Sequence, residues 1–100
     1  MNLKKGKTRR GFSLIEFKDF YGLECSIQKS SLATDDAIWI GIDNPNPQIM
    51  ASKTKEGGTG WVPYSIPEDV SLSTRMHLTV YQVKDLLPIL TKFVETGEID

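Results

Sequence analysis

Arg75 and His77 stand two residues apart in Thr74-Arg75-Met76-His77-Leu78-Thr79. In an extended strand that spacing puts both side chains on one face. A guanidinium and an imidazole side by side suit a phosphate or a carboxylate. The other stretch with chemical promise is Lys53-Thr54-Lys55-Glu56-Gly57-Gly58-Thr59-Gly60-Trp61. Gly57, Gly58 and Gly60 let backbone amides approach an anion, and Lys53 and Lys55 add positive charge. Trp61 offers a flat surface on which a base can stack. The stretch lacks the Gly-Lys-Ser/Thr ending of a phosphate-binding P-loop, which excludes that motif. Each feature also has a plain structural reading. The glycine-rich segment fits a hairpin tip whose Trp61 returns to the core. Arg75 fits a cross-strand ion pair, and His77 a hydrogen-bonded surface position.

Other reactive residues are few. Cys25 lies mid-strand on an apolar side, where a cysteine usually acts as a small hydrophobe. His77 is the only histidine, and alternation puts it and Cys25 on different faces. One Cys and one His make a poor metal site. Asp35-Asp36 has neither the fixed geometry of an acid–base pair nor the pattern of a calcium loop. Ser30, Ser31 and Thr34 beside it fit a turn or the lining of a polar pocket. No catalytic residue, metal or cofactor is expected, and the chain reads as a binder, not an enzyme.

The bulk properties are those of a soluble globular domain: 100 residues, 39% hydrophobic and 25% charged. No apolar run approaches the length of about 20 residues needed to span a bilayer. The N-terminus reads as lacking a secretory signal. The lone Cys25 allows no internal disulfide and fits a reducing cytoplasm. Charge is uneven. Lys4, Lys5, Lys7, Arg9 and Arg10 crowd residues 1–10, while all thirteen acidic residues lie beyond them. Residues 1–10 therefore read as a basic flexible arm, and 11–100 as one domain with an acidic body.

The elements that must position these residues follow from periodicity. Ser13, Ile15 and Phe17 share one face of a strand, as do Leu23, Cys25 and Ile27 of the next. Gly22 closes the turn between them. Ile38, Ile40 and Ile42 share a face of a third strand, with Trp39 opposite. Asp43-Asn44-Pro45-Asn46-Pro47 stops that strand. Gln48–Ser52 and Trp61–Tyr64 read as a short pair, with Pro63 at an edge. Leu72–Leu78 is the last strand. Thr79 and Gln82 then fit a capping box, and Val83, Leu86, Leu87, Leu90 and Val94 form a helical stripe ending near Gly97. Pro88 is expected to kink this helix. The fold is therefore α+β: a mostly antiparallel sheet of four or five strands, with one C-terminal amphipathic helix packed on one face. One helix cannot cover both faces, and Phe12, Leu14, Trp39 and Trp61 add further apolar surface. A homo-oligomer is expected.

Several segments carry a resemblance. They are Gly11-Phe12-Ser13-Leu14-Ile15-Glu16-Phe17, Tyr21-Gly22-Leu23-Glu24-Cys25-Ser26, Ser30-Ser31-Leu32-Ala33-Thr34, Ile38-Trp39-Ile40-Gly41, and Thr74 to Thr79 with Thr96-Gly97-Glu98. Together they resemble a family of small proteins of tailed bacteriophages and prophages. The resemblance spans about residues 11–98 and implies a phage product in the cytoplasm of a bacterial host. It transfers no catalytic residue. The leading expectation is a counter-defence protein that sequesters a small nucleotide-like immune signal. Two alternatives stay open: an inhibitor that binds a host defence protein, or a nucleic-acid-binding accessory protein using the basic arm.

Overall fold

The computed structural model describes all of residues 1–100. Its elements are β1 (Lys4–Lys7), β2 (Ser13–Lys18), β3 (Glu24–Lys29), β4 (Ala37–Ile42), β5 (Gln48–Met50), a single 3-10 turn (Ala51–Lys53), β6 (Trp61–Pro63), β7 (Arg75–Thr79) and α1 (Val80–Thr96). The fold is α+β. Its main sheet has five antiparallel strands in the order β1-β2-β3-β4-β7, and one C-terminal helix follows.

The chain divides into two compact units, where the sequence reads as one. The first joins Met1–Asp43 to Arg75–Asp100, and the second is Asn44–Thr74. The division starts at the Asn44-Pro45-Asn46-Pro47 break, after which the chain pairs β5 with β6 in a separate two-stranded sheet.

Residues 4–7 are a second departure from expectation. They form β1, paired with β2 through Lys5↔Ile15 and Lys7↔Ser13, and are not a free arm. Thr8 ties the intervening turn, accepting from the Phe12 amide through Oγ1. Three lysines on an edge strand have a structural use, because edge charges discourage pairing with another sheet.

Register sets the two faces of the main sheet. Ile15, Ile27, Ile40 and Met76 lie directly opposite one another across four strands. So do Phe17, Cys25 and Ile42. This is the apolar face. The other carries Leu14, Gln28, Trp39 and His77 in one row, and Glu16, Ser26, Gly41 and Arg75 in the next. Ser26 is buried there and donates to Asp43 Oδ1 at 2.6 Å, which fastens the end of β4. Asp19 closes the β2–β3 turn by accepting from the amides of Tyr21 and Leu23. Gly22 takes φ 85° in that turn, a conformation that a side chain would strain.

The helix begins where β7 ends. Thr79 accepts from the Gln82 amide at 3.3 Å, and Gln82 Oε1 accepts from the Thr79 amide at 2.9 Å, completing the capping box. Gly97 closes the helix at φ 77°, and its amide donates to Phe93 O. The helix is continuous through Pro88. Contact with the sheet is narrower than the stripe suggests. Val80, Val83 and Leu87 border a recess with Ile38 and Leu78. The later turns are exposed, with Leu90 at 58% and Val94 at 84%. No loop separates β7 from α1, so the chain has no residues with which to fold the helix back along the sheet.

Lys29 and Asp36 form an exposed ion pair at 2.8 Å beside the start of the helix. The Lys29 hydrogen bond holds the Asp36 carboxyl below its usual range. Its small stabilising effect is present at neutral pH and fades as pH falls through that lowered value. On the apolar face, burial pushes the Cys25 thiol up, and Asp19 and Asp43 push the same way. A raised thiol value favours folding below the ordinary cysteine range, and the contribution is lost as pH rises through the folded value.

Two outcomes follow. Thr79→Ala should lower stability by about 1 kcal/mol, read as a shifted denaturant midpoint; an unchanged midpoint would remove the cap's role. The Cys25 thiol should resist alkylation at pH 8 in the native protein and react at once on unfolding. Equal rates in both states would contradict its burial.

Candidate functional site: an aromatic and cationic platform

Arg75 and His77 share a face, and the side chain between them is Trp39. The His77 and Trp39 rings stack with centroids 3.9 Å apart and planes 6° from parallel. The Arg75 guanidinium carbon lies 5.7 Å from the Trp39 ring centroid, within range of a cation–π contact. Arg75 Nη1 donates to Gln28 Oε1 at 3.0 Å, so its cross-strand partner is an amide. His77 Nε2 lies 2.9 Å from Ser30 Oγ, with the direction of donation set by the tautomer. Gln28 of β3, Ser30 just after it, Trp39 of β4, and Arg75 and His77 of β7 thus form one connected patch.

The local sequence explains the patch. Trp39 is flanked on its own face by Ala37 and Gly41. Gly41 is the register partner of Arg75, and Ala37 that of Thr79. With no side chain at Gly41, Arg75 can cross β4 and reach Gln28 on β3. The small Ala37 likewise leaves His77 room to reach Ser30. Ser30 is buried and is held in place by its amide, which donates to Ala37 O at 2.9 Å. His77 is exposed, while Trp39, Arg75 and Gln28 are half-buried. The platform is both anchored and open to solvent. A guanidinium has five N–H donors, and only one is directed at Gln28, so an anion can take others.

The glycine-rich loop belongs to the second unit. It joins β5 to β6, as a hairpin tip does. Gly57, Gly58 and Gly60 all adopt positive φ. Several donors near the tip are spent internally: the Ala51 amide on Gly60 O, the Thr54 amide on Ala51 O, and the Gly57 amide on Thr54 O. Lys53 and Lys55 are exposed. Trp61 is 64% exposed, so it does not return to a core. Arg75 and His77 therefore stand in one unit, and Lys53, Lys55, Gly57, Gly58, Gly60 and Trp61 in the other.

The first unit has two other features. A recess of about 660 Å³ is lined by Phe17, Phe20 and Cys25, with Lys4 and Lys18 among Glu16, Asp19, Glu24 and Asp43. Its charges oppose one another, so it offers an anion no net attraction. Cys25 lies on the apolar face and His77 on the other, so the sheet separates them. No group of three His, Cys, Asp or Glu residues is arranged to hold a metal ion.

Comparison with models of protein families, with curated proteins and with solved structures finds no match.

Spacing in the sequence puts Arg75 and His77 on one face, as the register does, but that spacing gives no sign of Trp39, Gln28 or Ser30 as their neighbours. The signal was present as Ala37-x-Trp39-x-Gly41, small-large-small on one strand face. His77→Ala tests whether the stack is a surface feature. It should cost at most about 1.5 kcal/mol, the upper range for an aromatic pair. A loss of about 3 kcal/mol or more would make the stack a core contact.

Proposed function

We propose that the protein binds a small, flat, anionic ligand of nucleotide type on the Arg75–Trp39–His77 face and holds it without chemical change. The stacked Trp39–His77 pair beside the Arg75 guanidinium is the observation that carries this reading. The exposed His77 ring offers a base a surface for stacking, while Arg75 directs hydrogen bonds and charge at phosphate. Gln28 and Ser30 act as positioning residues for Arg75 and His77. Lys53, Lys55, Gly57, Gly58, Gly60 and Trp61 belong to the second unit.

In the context implied by the phage-like segments, retention without turnover amounts to sequestration of a host immune signal. The cytoplasm of the infected cell is the compartment where such a signal would be met.

Calorimetric titration with ADP-ribose and a set of cyclic dinucleotides is the test. Binding should be enthalpic, with each ligand recovered intact. Arg75→Ala should weaken it about tenfold or more, the value of one charge-assisted contact. Trp39→Ala should weaken it to a similar degree, with Trp61→Ala measured separately to read the loop. Wild-type binding that survives Arg75→Ala and Trp39→Ala, or no binding by any probe, would refute the reading.

A further inference from the structure

The sheet face that carries Arg75, Trp39 and His77 holds a second aromatic and cationic pair. The Arg10 guanidinium carbon lies 5.6 Å from the centroid of the Phe12 ring, within range of a cation–π contact. Phe12 is half-buried and Arg10 is exposed. The Phe12 backbone is fixed from both sides. Its amide donates to Thr8 Oγ1 at 3.0 Å, and its carbonyl accepts from the Thr8 amide at 2.8 Å.

Register joins the two pairs. Leu14, Gln28, Trp39 and His77 form one row. Two positions along each strand, the next row is Phe12, Ser30, Ala37 and Thr79. Ala37 and Thr79 are direct partners, and the Ser30 amide donates to Ala37 O. Alternation keeps both rows on one face. Ser30 Oγ is 2.9 Å from His77 Nε2, so the imidazole leans across β4 toward the position that neighbours Phe12. Neighbouring strands lie about 4.8 Å apart. Ser30 and Ala37, both small and buried, lie between the aromatic groups. The carboxylates that β2 and β3 put on this face, Glu16 and Glu24, stand toward its other end, opposite Lys4 and Lys18.

We propose that the ligand of this face carries two bases joined through phosphate. One base stacks on His77 and the other on Phe12, with Arg75 and Arg10 on the phosphate groups. The inference rests on the ligand reading of the platform and adds the ligand's size to it. A mononucleotide occupies one aromatic group and leaves the other empty. A second stacked base is worth about tenfold or more in affinity.

Calorimetric titration with AMP, the linear dinucleotide pApA and pentaadenylate tests this. The wild type should bind pApA about tenfold or more tighter than AMP, with little further gain from pentaadenylate. In Arg10→Ala and in Phe12→Ala the ratio of the two affinities should fall to about one. Arg10 is exposed, so its variant keeps the test valid if Phe12→Ala loses stability. Lys5→Ala removes a nearby charge from the opposite face and should leave the ratio as it is. Equal binding of AMP and pApA by the wild type would overturn the two-base site while leaving the platform reading in place. So would a ratio that survives Arg10→Ala and Phe12→Ala, or one that Lys5→Ala abolishes equally. A further tenfold gain with pentaadenylate would mean a face that tracks a single strand, and would overturn the two-base limit. Binding of none of the three would refute this inference and the platform reading together.

Discussion

Register between neighbouring antiparallel strands is the constraint on which this structure depends. Each strand of the main sheet alternates in type, and the pairings bring like residues into rows: Ile15, Ile27, Ile40 and Met76 on one face, Leu14, Gln28, Trp39 and His77 on the other. A slip by one residue at any ladder would exchange the faces of that strand. It would put Trp39 among the isoleucines and scatter the platform. The candidate site and the apolar face are therefore two results of one pairing pattern. Asp19 in the β2–β3 turn and the Ser26–Asp43 bond at the end of β4 hold that pattern at the strand ends.

The same continuity that places β7 also limits the helix. Thr79 is both the last residue of β7 and the cap of α1. The join is local, and only the first two turns meet the sheet. Everything beyond Leu87 extends an apolar stripe into solvent. A small chain with few buried side chains has little stability to spare.

Much of the fold was legible because its signals are local. Period-two alternation located the strands, Gly22 the turn, and Thr79, Gln82 and Gly97 the two ends of the helix. Residues 4–7 were not legible as a strand. Lys4-Lys5-Gly6-Lys7 has no alternation, and only the partner strand makes it one. The break at Asn44–Pro47 was visible as a strand stop, but whether the chain after it forms its own unit is a matter of long-range contact. The site was half legible. Spacing alone joined Arg75 to His77, whereas Trp39 comes to lie beside them only through the β4–β7 register. Trp61, the aromatic that sequence reasoning favoured for stacking, lies in the other unit.

The proposed binding of a ligand on the Trp39 face is tested most directly by NMR. The chain has two tryptophans, so its NMR spectrum contains two indole N–H signals, and Trp39→Phe assigns them. Titration with ADP-ribose should shift the Trp39 indole together with the backbone amides of Gln28, Arg75 and His77, and leave the amides of the last two helical turns unmoved. Shifts confined to Trp61 and residues 51–60, with the Trp39 signal unchanged, would contradict the account.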